Sequence, residues 1–260
     1  MLSISNIYGH GFDRSQISKL EALGFRLRPE VSTYMGSQIC RFIDFEESPA
    51  LELIEVEDHQ GYLDFVPAGM TPYCPGISLV VPDGSGSTIA DFEREFRHLD
   101  PYPLHLNYDG SQEPNRPGWN YLNFATPVVL DTFIWLTAYD QPKPVTRYET
   151  AHPNGVTGLA GLVFDLNVEQ LKGLSRLVGA DFTTGVMMIG DVQVWSRNAV
   201  TEFPTLSAKA FPLVAIIVKA RTLDAFASLS DCARRTSFMT QPAVLIETNR
   251  LAGDLIVVAA

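Results

Sequence analysis

The chain has only three cysteines among its 260 residues, Cys40, Cys74 and Cys232, odd in number and widely spaced. That pattern offers no disulfide framework and no Cys-x-x-Cys metal site, so free thiols in a reducing cytoplasm are expected. Basic residues are also scarce: 19 Lys and Arg stand against 30 Asp and Glu, a net charge of −11. Such a surface repels nucleic acid, and the longest basic run, Arg234-Arg235, reads as the C-terminal pair of a helix. Long apolar runs are missing, since nothing approaches the ~20 residues of a membrane span. The opening Met1-Leu-Ser-Ile-Ser-Asn-Ile lacks the charged and apolar regions of a signal peptide and leads straight into a strand. No Gly-x-Ser-x-Gly elbow or His-Glu-x-x-His pair occurs, and the loop Asp83-Gly-Ser-Gly-Ser lacks the Lys of a phosphate-binding loop. Neither nucleic acid nor membrane is an expected partner; a small molecule is.

What the chain does have is a core and a repeat. Apolar residues make up 46% of the sequence, enough over this length for a substantial interior. A strand-like run from Ile4 is followed by a helix-like run capped by Asp13, with Ile17, Leu20 and Leu23 on one face and Gly24 as its stop. The same order returns after the breakers of His152-Pro-Asn-Gly155, as strand Leu159–Leu166 and helix Val168–Val178. Four strand–helix–strand units can be traced. The first continues through strands Phe25–Val31, Ile39–Phe45 and Leu51–Val56. The second holds Gly76–Pro82, a helix from Ile89 to about His98, and strands Leu104–Tyr108, Trp119–Phe124 and Thr132–Tyr139. The third closes with strands within Gly185–Trp195. The fourth holds Leu213–Ala220, a helix near Leu223–Arg234, and strands Val244–Thr248 and Leu255–Ala259. Short strands with one helix per unit predict an α+β architecture, helices covering one face of each sheet and the other face free for a ligand. The predicted division is residues 1–140, a linker 141–155 rich in Pro and charge, and residues 156–260.

This order of units resembles the vicinal oxygen chelate superfamily and its glyoxalase-like-domain proteins. The likeness is carried by the opening strand and the helix ending in Leu23-Gly24-Phe25, by Ala50-Leu-Glu-Leu-Ile-Glu-Val56, and by His152-Pro-Asn-Gly155. It implies repeated βαβββ modules that pair into half-barrel sheets with helices outside. It also implies a divalent metal held by His or Glu of the first and last strands, which binds neighbouring substrate oxygens. The sequence departs from that pattern. Asn6 stands where the family carries His, the matching strand Leu159-Ala-Gly-Leu-Val-Phe164 offers no ligand, and the family's Gly-Thr-x-Asn turn is reduced to Gly36-Ser-Gln-Ile39. Only Glu52 remains, so no cofactor is expected; the alternative is a divalent metal at a site rebuilt from Glu52 with His10 or His105.

Alternation puts Ile4, Asn6, Tyr8 and His10 on one face of the opening strand, and Glu52, Ile54 and Val56 on one face of the later one. Glu52, His10 and Tyr8 are therefore the candidate catalytic groups, and an apolar setting would raise the Glu52 pKa into a useful range. Asn6, Arg41, His105, Trp119 and Tyr139 are the candidate substrate-binding groups. Arg41 either pairs with Glu52 or reads an anionic group, and the aromatic second unit suits a planar ligand. His152 is expected to fix the junction between the halves. The implied function is metal-free acid–base chemistry, of lyase, isomerase or hydrolase type, on a carbonyl-bearing or phenolic metabolite. The alternatives are a non-catalytic binding protein, or a metal-dependent glyoxalase or dioxygenase with a rebuilt site. A homodimer formed by sheet edges is the expected assembly.

Overall fold

Strand-period and helix-period runs alternate along the chain, and each settles into the element its spacing favours. The computed structural model describes all residues except 1, 11–12, 30–31, 35–37, 47–48, 84–85, 112, 144–147, 201–210, 227–232 and 247–253. The predicted degraded turn at 36–37 and Cys232 lie outside the described residues.

The first part comprises β1 (Ser3–His10), α1 (Arg14–Ala22), β2 (Ser32–Tyr34), β3 (Gln38–Ile43), β4 (Ala50–Val56), α2 (His59–Phe65), β5 (Gly76–Val80), α3 (Ile89–Glu95), β6 (Pro101–Asn107), β7 (Gly118–Phe124) and β8 (Phe133–Tyr139). The second comprises β9 (Val156–Phe164), α4 (Val168–Val178), β10 (Val186–Ile189), β11 (Val192–Ser196), β12 (Leu213–Ala220), β13 (Ala233–Phe238), β14 (Gln241–Ile246) and β15 (Asp254–Ala259). The fold class is α+β, as the alternating pattern predicts.

Helix starts are written locally. Asp13 with Gln16, Thr88 with Asp91, and Asn167 with Gln170 form reciprocal caps at α1, α3 and α4. Gly179, at φ +67°, ends α4 in the left-handed conformation that an L side chain resists. Leu171, Leu174, Leu177 and Val178 form the buried face of α4. Burying each such side chain contributes about 1.5–3 kcal/mol, which a helix of this length needs because its own propensity leaves it marginal.

Two sheets result. The first has the order β2-β3-β4-β1-β5-β8-β7-β6, the second β10-β11-β9-β12-β15-β14-β13. Each has an antiparallel centre, β1–β5 or β9–β12, flanked on both sides by parallel pairs, β1–β4 and β5–β8 or β9–β11 and β12–β15. The helix-side faces share one core, in which Ile7 and Leu53 of the first sheet meet Leu20, Leu171, Leu162 and Ile216. Each sheet's other face carries its own cluster. On the second sheet it is aliphatic and aromatic, with Val163, Ala215, Ile217, Leu245 and Trp195. On the first it is mixed, and there the cavity lies.

Several predicted elements are corrected. Residues 25–29 form no strand; the Arg28 N–H instead donates to the Phe42 carbonyl at 2.7 Å, and β2 follows at Ser32. Of the helix predicted near Leu223–Arg234, residues 227–232 lie outside the described residues; Asp224–Phe226 form a 3-10 turn, and Arg234-Arg235 lies on exposed positions of β13 rather than at a helix end. The β1–β5 register shifts between Ile4 and Asn6, so Ile4 joins the helix-side core rather than the face of Asn6.

The halves are tied at His152. Its Nδ1 accepts the Arg26 N–H at 2.9 Å, and its Nε2, which then carries the proton, donates to the Asp44 carbonyl at 2.9 Å. Burial lowers its pKa, in keeping with a neutral ring making two fixed bonds. Next to it, the Asn154 amide donates to the Leu23 carbonyl at 2.9 Å. No described helix is long and apolar enough to cross a membrane.

Candidate functional site

The cavity lies on the face of the first sheet that turns away from α1 and the shared core, and measures about 910 Å³. Its far end is closed by the connection between β4 and β5: Tyr62 of α2, Met70 and Cys74 pack onto Tyr8, Ile54, Val56 and Phe133. What stays open is floored by Asn6, Glu52, Ser78 and Thr137, and walled by Phe42, Trp119, Tyr121, Trp135 and Tyr139.

Glu52 is placed by strand alternation. Leu51 and Leu53 enter the helix-side core, so Glu52 must face the other way. It is 8% exposed. The Asn6 amide donates to its Oε2 from the adjacent parallel strand, and the Cys40 thiol hydrogen-bonds it from β3. Burial pushes the carboxyl up to about 7, while Cys40, Arg28 and Asn6 pull the other way. Burial and the charge of Glu52 push the Cys40 thiol well above its ordinary range, so Cys40 serves as a thiol donor and not as a nucleophile.

The cation beside Glu52 is Arg28. Its Nε and Nη2 donate to the two Asp44 oxygens at 3.0 and 2.6 Å, a bidentate pair. Its guanidinium lies 4.2 Å from the Phe42 ring centre and 4.0 Å from that of Tyr148. Arg41 is placed differently from its predicted position. It pairs with Leu53 in register, on the face opposite Glu52, and its nearest carboxylate is Glu55 at 3.8 Å.

The structure separates the other predicted groups. Asn6, Glu52, Trp119 and Tyr139 all line the cavity; the Tyr139 hydroxyl lies 3.3 Å from Ser5 Oγ, and the Lys143 ammonium sits 3.5 Å over its ring. Tyr8 faces the same side but lies at the closed end, fully buried under the β4–β5 connection and stacked on Trp135 with ring centres 4.2 Å apart. His10 is buried among Tyr8, Tyr62 and Phe133, with Nδ1 3.0 Å from the Cys74 carbonyl, and burial lowers its pKa to about 4. The β4–β5 connection that covers both side chains has no periodicity to announce it. His105 points to the opposite face, into a shallow groove with Asn120, Arg116 and Asp140. Its partner in register is Asn120, while the cavity takes the other parity, Leu106 and Trp119. The hydrogen bond to Asn120, then those to Arg116 and Asn107, raise its pKa.

Sequence reasoning missed Arg28, Asp44, Ser78 and Thr137. Ser78 and Thr137 are polar positions in otherwise apolar runs, a signal that was there to be read. Arg28 had no such mark. Trp135 stood only as one aromatic among many; its indole N–H is buried without a partner among the described residues.

The divalent ion implied by the family resemblance does not fit these side chains. The donors beside Glu52 are an amide, a thiol held protonated and two hydroxyls, a poor set for a hard or borderline cation. Among the described residues no three His, Cys, Asp or Glu side chains converge. The alternative set of Glu52 with His10 or His105 is dispersed, one imidazole being sealed under the β4–β5 connection and the other on the far face. The corresponding face of the second sheet is apolar.

No family model matches the sequence, and no curated protein matches it. Solved structures do. A catechol 2,3-dioxygenase is similar over 99% of this chain and 88% of its own, with 10% identity and a TM-score of 0.52. A 2,2',3-trihydroxybiphenyl 1,2-dioxygenase from dibenzofuran-degrading Sphingomonas wittichii is similar over 99% and 90%, with 9% identity and a TM-score of 0.54. BphC, a halotolerant catechol dioxygenase, is similar over 99% and 86%, with 9% identity and a TM-score of 0.57. Identity this low speaks for the fold and leaves the chemistry to the residues. In its paired modules, its open first sheet and its element order, the chain has the fold of the vicinal oxygen chelate superfamily.

Proposed function

We propose that the protein is a small-molecule enzyme that moves a proton with Glu52, on a planar carbonyl-bearing or phenolic compound, without a metal. The observation that carries this reading is the setting of Glu52: a buried carboxylate on the floor of an aromatic-walled cavity, with its pKa pushed up to about 7. A group balanced between acid and base near neutral pH can accept a proton from a substrate and return it. The walls favour flat ligands, and the solved neighbours named as catechol and trihydroxybiphenyl dioxygenases act on flat hydroxylated rings. Isomerase- or lyase-type chemistry follows from proton transfer without an oxidant. A cytoplasmic setting accords with the free thiols of Cys40 and Cys74, and a homodimer would pair sheet edges.

The test uses a panel of aryl ketones and hydroxyaryl carbonyl compounds. Binding is read by quenching of Trp119 and Trp135, and proton transfer by NMR as exchange of the hydrogen next to the carbonyl in heavy water. Glu52→Gln should reduce exchange by roughly a hundredfold or more while binding changes little, since general acid–base groups contribute on that scale. Unchanged exchange in Glu52→Gln would refute the assignment. Binding without exchange in the natural protein would favour a sequestering protein instead.

A further inference from the structure

The two modules of the first sheet are related by register, and the relation extends to the side chains on the cavity floor. Across β1 and β4, Tyr8 pairs with Glu52, and Asn6 lies two residues before Tyr8. Across β5 and β8, Val80 pairs with Thr137, and Ser78 lies two residues before Val80. Asn6 and Ser78 are themselves partners across the central β1–β5 pair. Ser78 and Thr137 therefore hold in the second module the places that Asn6 and Glu52 hold in the first. They are 3% and 2% exposed, both line the cavity, and their hydroxyls are 3.1 Å apart.

Buried polar groups cost free energy unless they are hydrogen-bonded, and the mutual bond satisfies this pair only in part. Two hydroxyls bonded to each other consume one proton between them. The second proton remains, and the first bond polarises it into a better donor. Asn6 is in a matching state: its amide has two protons, and Glu52 takes one.

We propose that the Ser78–Thr137 hydroxyl pair, together with the free Asn6 proton, holds the oxygen of the substrate as charge develops on it opposite Glu52. The substrate class is then a compound that reacts through an enolate- or phenolate-like oxyanion. This deepens the Glu52 reading and rests on it. The step balances without a co-reactant. The Glu52 carboxylate takes the proton from the carbon beside the carbonyl, the C–H pair becomes a C=C bond, and the carbonyl π pair moves to oxygen. The hydroxyl proton stays on its hydroxyl and donates to that oxygen. Return of the Glu52 proton to carbon restores the carboxylate.

The test measures the oxyanion directly, with 4-nitrophenol, whose phenolate absorbs visible light. It is made in the Glu52→Gln chain, so that no carboxylate opposes the bound phenolate and the outcome does not depend on catalysis by Glu52. The bound phenol should ionise at a proton concentration roughly tenfold higher than the free phenol, the scale expected for a preorganised donor. Adding Thr137→Val or Ser78→Ala should remove most of that shift, and Thr137→Ser should keep it. Affinity for 4-nitrotoluene, which has no ionisable oxygen, should stay within about twofold in every variant, showing that the cavity is intact. A bound phenol that titrates as it does in water overturns the inference, as do a shift indifferent to both variants and a failure of 4-nitrophenol to bind. The Glu52 reading fails by a different result, exchange that survives Glu52→Gln.

Discussion

The Asn6 amide donates to the Glu52 carboxylate across the parallel pair β1–β4, and this bond joins two side chains 46 positions apart on the cavity floor. A donor to a carboxylate stabilises its charged form, so Asn6 holds the Glu52 pKa below the level that burial alone would set.

Asn6→Ala should therefore raise the proton affinity of Glu52 further. In protein labelled with carboxyl-13C glutamate, the Glu52 resonance is identified by its loss in Glu52→Gln. Its titration midpoint should move up by roughly half to one pH unit in Asn6→Ala, the size of one hydrogen bond's contribution. A midpoint that stays put or moves down would show that Asn6 does not serve the charged form.

Glu52 and His10 make opposite contributions to stability against pH. The native Glu52 pKa is pushed up from 4.5 to about 7, so the native state keeps a proton that the unfolded chain releases. Its favourable contribution is complete below pH 4.5 and is lost as pH rises to about 7. The native His10 pKa falls from 6.5 to about 4, so the unfolded chain takes up a proton that the native state refuses. Its contribution is complete above pH 6.5 and is lost as pH falls to about 4. Between pH 4.5 and 6.5 the two slopes nearly cancel, and each amounts to about 2 kcal/mol by linkage over that interval. Glu52→Gln should unmask the His10 slope. Urea unfolding at the two ends should show its stability rising with pH by about 2 kcal/mol more than that of the natural protein. Parallel curves would mean that Glu52 is already ionised at pH 4.5.

The fold was legible because each part of it is written in short-range signals. Asp13 and Asn167 cap helices, Gly24 and Gly179 stop them, and period-two runs mark most strands. Glu52 could be placed because Leu51 and Leu53 fix the parity of a strand buried on one side. The site was legible only as far as that local parity reached. One register shift moved Ile4 off the face of Asn6. The choice between the faces of His105 and Trp119 depended on which way β6 and β7 meet the rest of the sheet, which no local pattern encodes. His10 and Tyr8 had the right parity but lie under the β4–β5 connection, whose path is a tertiary fact. Arg28 entered the site from a segment read as a strand, held by Asp44 and two ring faces that only folding assembles.

Gly76 and Tyr8 give the last prediction, because the closed end of the cavity rests on their fit. The two are partners in register across β1 and β5, and a Cβ at Gly76 would lie 1.8 Å from Tyr8 Cζ. No real contact is that short, and the atom in the way belongs to a rigid ring buried on all sides, so Gly76→Ala must drive Tyr8 off its stack with Trp135. Overpacking of this kind costs about 1–3 kcal/mol or more. Tyr8→Leu alone should also destabilise, since it empties part of the space that the ring fills. Made together, the two changes relieve each other. The double variant should be more stable than the sum of the single losses predicts, by roughly 1–3 kcal/mol of coupling. Trp135 reports the same event, for its emission should change in Gly76→Ala as its stacking partner leaves. Strict additivity of the two losses would mean that Tyr8 has room to turn aside, and that the packing beside Glu52 is softer than it looks.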